Sequence, residues 1–215
     1  MKNSNIIAEI RAYLKTDNKE ILNDLLEDLL NEERVANSKK QGGSEQVKRH
    51  KAVEKVLKIS EKNGRRNLCK CWYDTVNYER VQVCSNAYLI VALKESAFVD
   101  CPMFDENEKP ALTAEKFFGN IDMKNYKEVE YNVGDIKQEL ADFKAMQKKL
   151  PPKKREDVCD ILIGTAWYNA EYFLLCLDLA GSGAKFYQKE DDKVSMAYLM
   201  TDNAQVGVLP LRKNK

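Results

Sequence analysis

The run Ala87–Leu93, AYLIVAL, is apolar at every position and has no polar face to offer water. A strand of this kind must be covered on both faces, which already excludes a bare sheet with one wet side. The run ends a β-meander predicted over residues 67–94. NLCKCWYD forms its first strand, a turn falls near Asp74–Asn77, YERVQVCS follows, and the apolar run closes it.

Helices flank this meander. Residues 44–63 predict one with Val47, Ala52, Val53, Val56, Leu57 and Ile59 on its apolar side. The other side carries Lys48, Arg49, Lys51, Lys55, Lys58 and Lys62, and Arg65 and Arg66 follow. With 35 Lys plus Arg against 34 Asp plus Glu the net charge is only +1, so the chain has no global basic field. Any case for nucleic acid rests on this local cluster, whose ordinary alternative is a solvated helix face.

Upstream, Ile6, Ile7, Ile10, Tyr13 and Leu14 share one helical face over residues 3–15, and Thr16 or Asp17 can cap a second helix. That helix, residues 18–35, sets Ile21, Leu22, Leu25, Leu26, Leu29 and Leu30 against an acidic back of Asp24, Glu27, Asp28, Glu32 and Glu33. The pair reads as a helical hairpin, packed on the body or a second subunit, or else a docking arm for a partner. Gly42 and Gly43 interrupt the pattern, so the expected division is a helical extension over 1–43 and a body over 44–215.

The body's second half starts after a long connection, 96–126, with one short helix near Thr113–Phe118. VEYNV reads as a strand. A helix over 134–150 follows, opened by Asp135, striped by Ile136, Leu140, Phe143 and Met146, and stopped by Pro151-Pro152. Lys148, Lys149, Lys153, Lys154 and Arg155 make a smaller basic patch. A strand at Ile161–Ile163 leads to a helix with Asn169 as N-cap, Glu171 in its first turn and an end at Gly181 or Gly183. Its stripe is Tyr172, Phe173, Leu175, Cys176 and Leu179, and three strands close the chain. The fold class is α+β, with halves at about 44–95 and 127–215.

Signatures of catalysis are missing: there is no phosphate loop, no Gly-x-Gly-x-x-Gly, no Gly-x-Ser-x-Gly and no His-Glu-x-x-His. Six cysteines stand without a Cys-x-x-Cys pair, and His50 is the single histidine, which argues against a zinc site and against Ser-His or Cys-His chemistry. The expectation is a non-enzyme without cofactor or metal. No stretch approaches the ~20 apolar residues of a membrane span, and the chain reads as cytoplasmic and reduced.

The closing part of the chain, residues 157–212, resembles the carboxy-terminal part of the bacterial DNA sliding clamp, the polymerase processivity factor. The matching positions are Tyr168, Asn169, Tyr172, Tyr198, Leu209, Pro210, Leu211 and Arg212. Cys84 to Leu89 fall in register with a turn and strand of that family's middle domain, with Asn86 where the family has glycine and Tyr88 where it has arginine. Clamp subunits are longer, so the resemblance implies about one DNA-clamp-like domain, helices packed on antiparallel sheets.

It further implies a protein of DNA replication, of bacterial or phage origin, with duplex DNA, a DNA polymerase or another clamp-binding peptide as partners, in a homo-oligomer. DNA would meet the basic helix side, Lys48 to Arg66. A peptide would enter a pocket walled by Tyr88, Leu89, Leu209, Pro210, Leu211 and Arg212. The alternative is a protein-interaction module or decoy with the clamp-like fold and no DNA-encircling ring, which uses its acidic hairpin.

Overall fold

A computed structural model describes residues 19–190 and 192–212. The helix expected over residues 3–15, and the caps at Thr16 and Asp17, lie outside the described residues. The first described element, α1, runs from Lys19 to Lys62. It spans the two helices expected over 18–35 and 44–63. The Gly-Gly pair still leaves a mark, because Gly43 has φ +64, which no right-handed helical residue adopts and which glycine tolerates without a Cβ clash.

The meander forms with its turn two residues later than expected. Strands β1 (Trp72–Val76), β2 (Glu79–Ser85) and β3 (Leu89–Lys94) pair antiparallel, and Asn77 and Tyr78 hold the positive φ values of the β1–β2 turn. The connection contains the short helix α2 (Ala114–Phe118), as its sequence predicts. Strand β4 is Tyr126–Glu128, just ahead of the VEYNV segment. Asn132, not Asp135, caps helix α3 (Val133–Lys149), its side chain accepting from the Gly134 amide at 2.8 Å.

Of the α3 stripe, Ile136 is buried and Leu140 and Phe143 pack on the core, whereas Met146 is exposed. A hairpin of β5 (Asp160–Ile163) and β6 (Ala166–Asn169) leads into α4 (Ala170–Ala180). Asn169 caps α4 through the amides of Glu171 and Tyr172, and the helix stops at Gly181, as expected. Strands β7 (Lys185–Lys189), β8 (Ala197–Met200) and β9 (Ala204–Val208) finish the fold.

One antiparallel sheet has the order β1-β2-β3-β9-β8-β7-β4. Without the edge strand β4, the remaining six strands read as a palindrome: α1 then β1, β2, β3 in one half, and α4 then β7, β8, β9 in the other. The two last strands meet at the centre, with Val91 opposite Val206. Leu89, Val91 and Leu93 face a core shared with α1 and α4. Ile90 and Ala92 face a second core, where α2 and Leu68 cover Trp72, Val81 and Val83. From Leu89 to Leu93 the apolar run is therefore sandwiched, whereas Ala87 and Tyr88 ahead of the strand are exposed. Among the described residues no helix is long and apolar enough to cross a membrane.

Candidate functional site: an apolar cleft and a lysine ridge

Where β3 begins and β9 ends, the chain builds a rigid turn. The Asn86 side-chain oxygen accepts hydrogen bonds from the amides of Tyr88 and Leu89, both at 3.0 Å. The Ser85 hydroxyl donates to the Leu89 carbonyl at 2.8 Å and accepts from the Ala87 amide at 3.1 Å. The left-handed residue is Ala87, φ 69, one position after Asn86, which serves the turn through its side chain. The Arg65 guanidinium donates to the Asn86 carbonyl and lies 4.7 Å over the Tyr88 ring. On the other side Tyr88 meets Tyr172, whose hydroxyl pKa is pushed up chiefly by burial.

Leu209 joins this turn because its amide donates to the Tyr88 carbonyl at 2.9 Å. Together they wall a cleft of about 590 Å3. Leu68, Ile90, Pro110, Leu112, Phe117 and Met196 contribute to its lining. Tyr88 and Leu209 are 44% and 39% exposed, open enough to be touched by a ligand. Leu89 is buried but reaches the lining. Pro210 is buried, the Leu211 amide is tied to the Trp167 carbonyl at 2.7 Å, and neither residue lines the cleft; nor does exposed Arg212.

Of the six residues named from the sequence, Tyr88, Leu89 and Leu209 line this cleft, and sequence reasoning named none of Pro110, Leu112, Phe117 and Met196. The wall from Pro110 to Phe117 comes from the long connection, which in sequence carries no periodic pattern, and Met196 stands in a loop between strands.

The predicted basic residues separate into two sets. Lys48, Lys51, Lys55, Lys58 and Lys62 are all exposed and recur at three- and four-residue spacing, so they form one ridge about 21 Å long on α1. Arg49 does not belong to it. It is 4% exposed, and its guanidinium donates to the carbonyls of Leu179 and Ala180 and to Gln46 and Glu45. The end of α4 leaves carbonyls without helical partners, and Arg49 fills that need. Arg65 is committed to the turn described above, and Arg66 is exposed next to it.

Beside the ridge a shallow groove of about 270 Å3 separates α1 from α3 and α4. Lys144 pairs across it with Glu171 at 2.5 Å. Asp178 also lines it, its carboxyl pKa raised by burial against the opposing pull of Lys48, Lys137 and Lys55.

Other titratable groups are poor chemical candidates. His50 is buried in α1, with its pKa lowered by burial despite Glu54 and Asp100 nearby. Cys71, Cys84, Cys101 and Cys176 are buried; the Cys71 and Cys176 thiols are pushed up, so they stay protonated and inert near neutrality. No group of three or more His, Cys, Asp or Glu among the described residues is placed to hold a metal ion. Compared with protein families, with curated proteins and with solved structures, the chain finds no match in any of the three.

Proposed function

We propose that this chain is a non-catalytic, DNA-clamp-like protein of DNA replication, whose cleft takes a short peptide of a polymerase or another clamp user and whose lysine ridge rests on duplex DNA. The observation that carries this reading is the cleft. Two segments far apart in sequence, Ala87–Ile90 and Leu209, meet to form an apolar hollow of a size suited to a few anchoring side chains. The palindromic order of the sheet, with α1 and α4 on one face, supports the clamp-like architecture. The five exposed lysines support a sequence-independent phosphate contact.

The test is peptide binding by fluorescence anisotropy, using a labelled clamp-binding peptide from a bacterial polymerase. Leu209→Asp puts a charge at the mouth of the cleft without disturbing the buried core, and should weaken binding at least tenfold. Equal affinity of the wild type and this variant, or no binding by the wild type, overturns the peptide role.

The reading as an interaction module without a ring draws on the acidic composition of the first half of α1. Neutralising those carboxylates abolishes partner capture in that case and leaves peptide binding at the cleft unchanged if the clamp-like reading holds.

A further inference from the structure

Helix α1 carries opposite charge at its two ends. Residues 19–33 contain Glu20, Asp24, Glu27, Asp28, Glu32 and Glu33 against Lys19 alone, and the other end bears the lysine ridge. The stretches also match in length, since residues 20–33 rise about 20 Å and residues 48–62 about 21 Å.

Their apolar chemistry matches as well. Leu29 and Leu30 are 37% and 41% exposed, and Glu32 and Glu33 are exposed beside them. The groove along the ridge has Ala52, Leu140 and Leu174 between Lys48, Lys51 and Lys55. Glu171 and Asp178 line it too, but with Lys144 the lysines outnumber them four to two. An amphipathic helix with leucines flanked by carboxylates fits such a groove: apolar side chains go down and charges pair at the rim. Gly43, at φ +64, interrupts the right-handed backbone between the two stretches, and in this structure Arg34 of the first half pairs with Asp100 at 3.7 Å; neither residue lines the groove.

We propose that the acidic first half of α1 from a second copy of this chain lies in the groove between α1, α3 and α4, so that two copies associate by exchanging these halves. The contact shares the lysine ridge with the DNA proposed above but does not depend on it. Because the arm and DNA want the same lysines, self-association and DNA binding exclude each other.

The experiment uses the full chain and two surface variants, Lys51→Glu/Lys55→Glu in the groove and Glu32→Lys/Glu33→Lys in the arm. All four positions are exposed, and thermal melts check that both variants fold. Light scattering at low salt should give the wild type a mass at least twice the 24.7 kDa of one chain, falling toward one chain as salt rises. Each variant alone should be monomeric, since one reverses the charge of the groove and the other nearly cancels that of the arm. Mixed in equal amounts they should associate again, because the unaltered acidic arm of the groove variant then meets the unaltered lysine groove of the arm variant.

A monomeric wild type at low salt, association untouched by either variant, or a mixture that stays monomeric overturns the proposal. Duplex-DNA titration separates it from the DNA reading. The arm variant keeps its ridge and should bind DNA at least as tightly as the wild type, whereas its failure to bind sinks the DNA reading alone.

Discussion

Ala87 holds a backbone conformation that a glycine would adopt with less strain. At φ 69 its Cβ crowds the following carbonyl, which costs about 1–2 kcal/mol, and its exposed methyl gains nothing from packing. Ala87→Gly should therefore raise stability by about 0.5–1 kcal/mol after the extra freedom of the unfolded glycine is subtracted, read as a shift in urea midpoint. Arg49 makes the opposite case. Arg49→Ala removes a buried guanidinium and strands the carbonyls of Leu179 and Ala180, which should cost about 2–3 kcal/mol. Because Arg49 never faces solvent, the salt dependence of DNA binding should not change in that variant. In sequence Arg49 looks like one more member of a basic cluster; the helical periodicity that puts it a third of a turn away from the lysines is the signal that distinguishes it.

At the scale of elements, the lysine ridge makes a quantitative claim. Five phosphate contacts on duplex DNA give a slope of log affinity against log salt near −4.5, and each lysine replaced by glutamine should reduce its magnitude by about 0.9. A slope that ignores these substitutions would place any DNA elsewhere.

Helix α1 also supplies a pH dependence. His50 is the single histidine, and burial lowers its pKa below the usual 6.5, against the smaller opposing effects of Glu54 and Asp100 and alongside that of Arg34. The folded state thus favours the neutral ring. The stability this gives is fully present above the unfolded pKa and declines as pH falls through 6.5, where the unfolded chain takes up the proton first. Urea midpoints measured between pH 7.5 and 5.5 should fall for the wild type and stay flatter for His50→Gln.

The elements themselves were largely legible, because hydrophobic period and caps act locally: Asn169, Gly181 and the apolar stripe of α4 all stand where their chemistry puts them. What was not legible is what tertiary pairing decides. Tyr126–Glu128 became a strand in place of VEYNV because the β7 edge receives it there. The cleft divides in the same way. Tyr88 and Leu209 could be found from the sequence, while Pro110 and Phe117 reach the site only through the path of an aperiodic connection.

For the whole molecule, the sequence suggests one body, 44–215, of two halves joined by a long connection, and the sheet runs through both halves. Its centre is the seam between β3 and β9, where Val91 and Val206 face each other with both side chains fully buried, and the core on that face draws residues from α1, α4 and strands of both halves. Neither half can lose its packing without exposing the other's. Unfolding in urea should be a single transition, coincident by far-UV dichroism and tryptophan fluorescence.

Val91→Ala and Val206→Ala should each cost about 2 kcal/mol, with an unchanged dependence on denaturant. Because the two side chains oppose each other across the seam, their combination should depart from additivity by about 0.5 kcal/mol or more, whereas pairing either with a distant surface change should not. Two resolved transitions, or strict additivity of the valine pair, would mean that the halves are stabilised independently and that the central seam merely joins them.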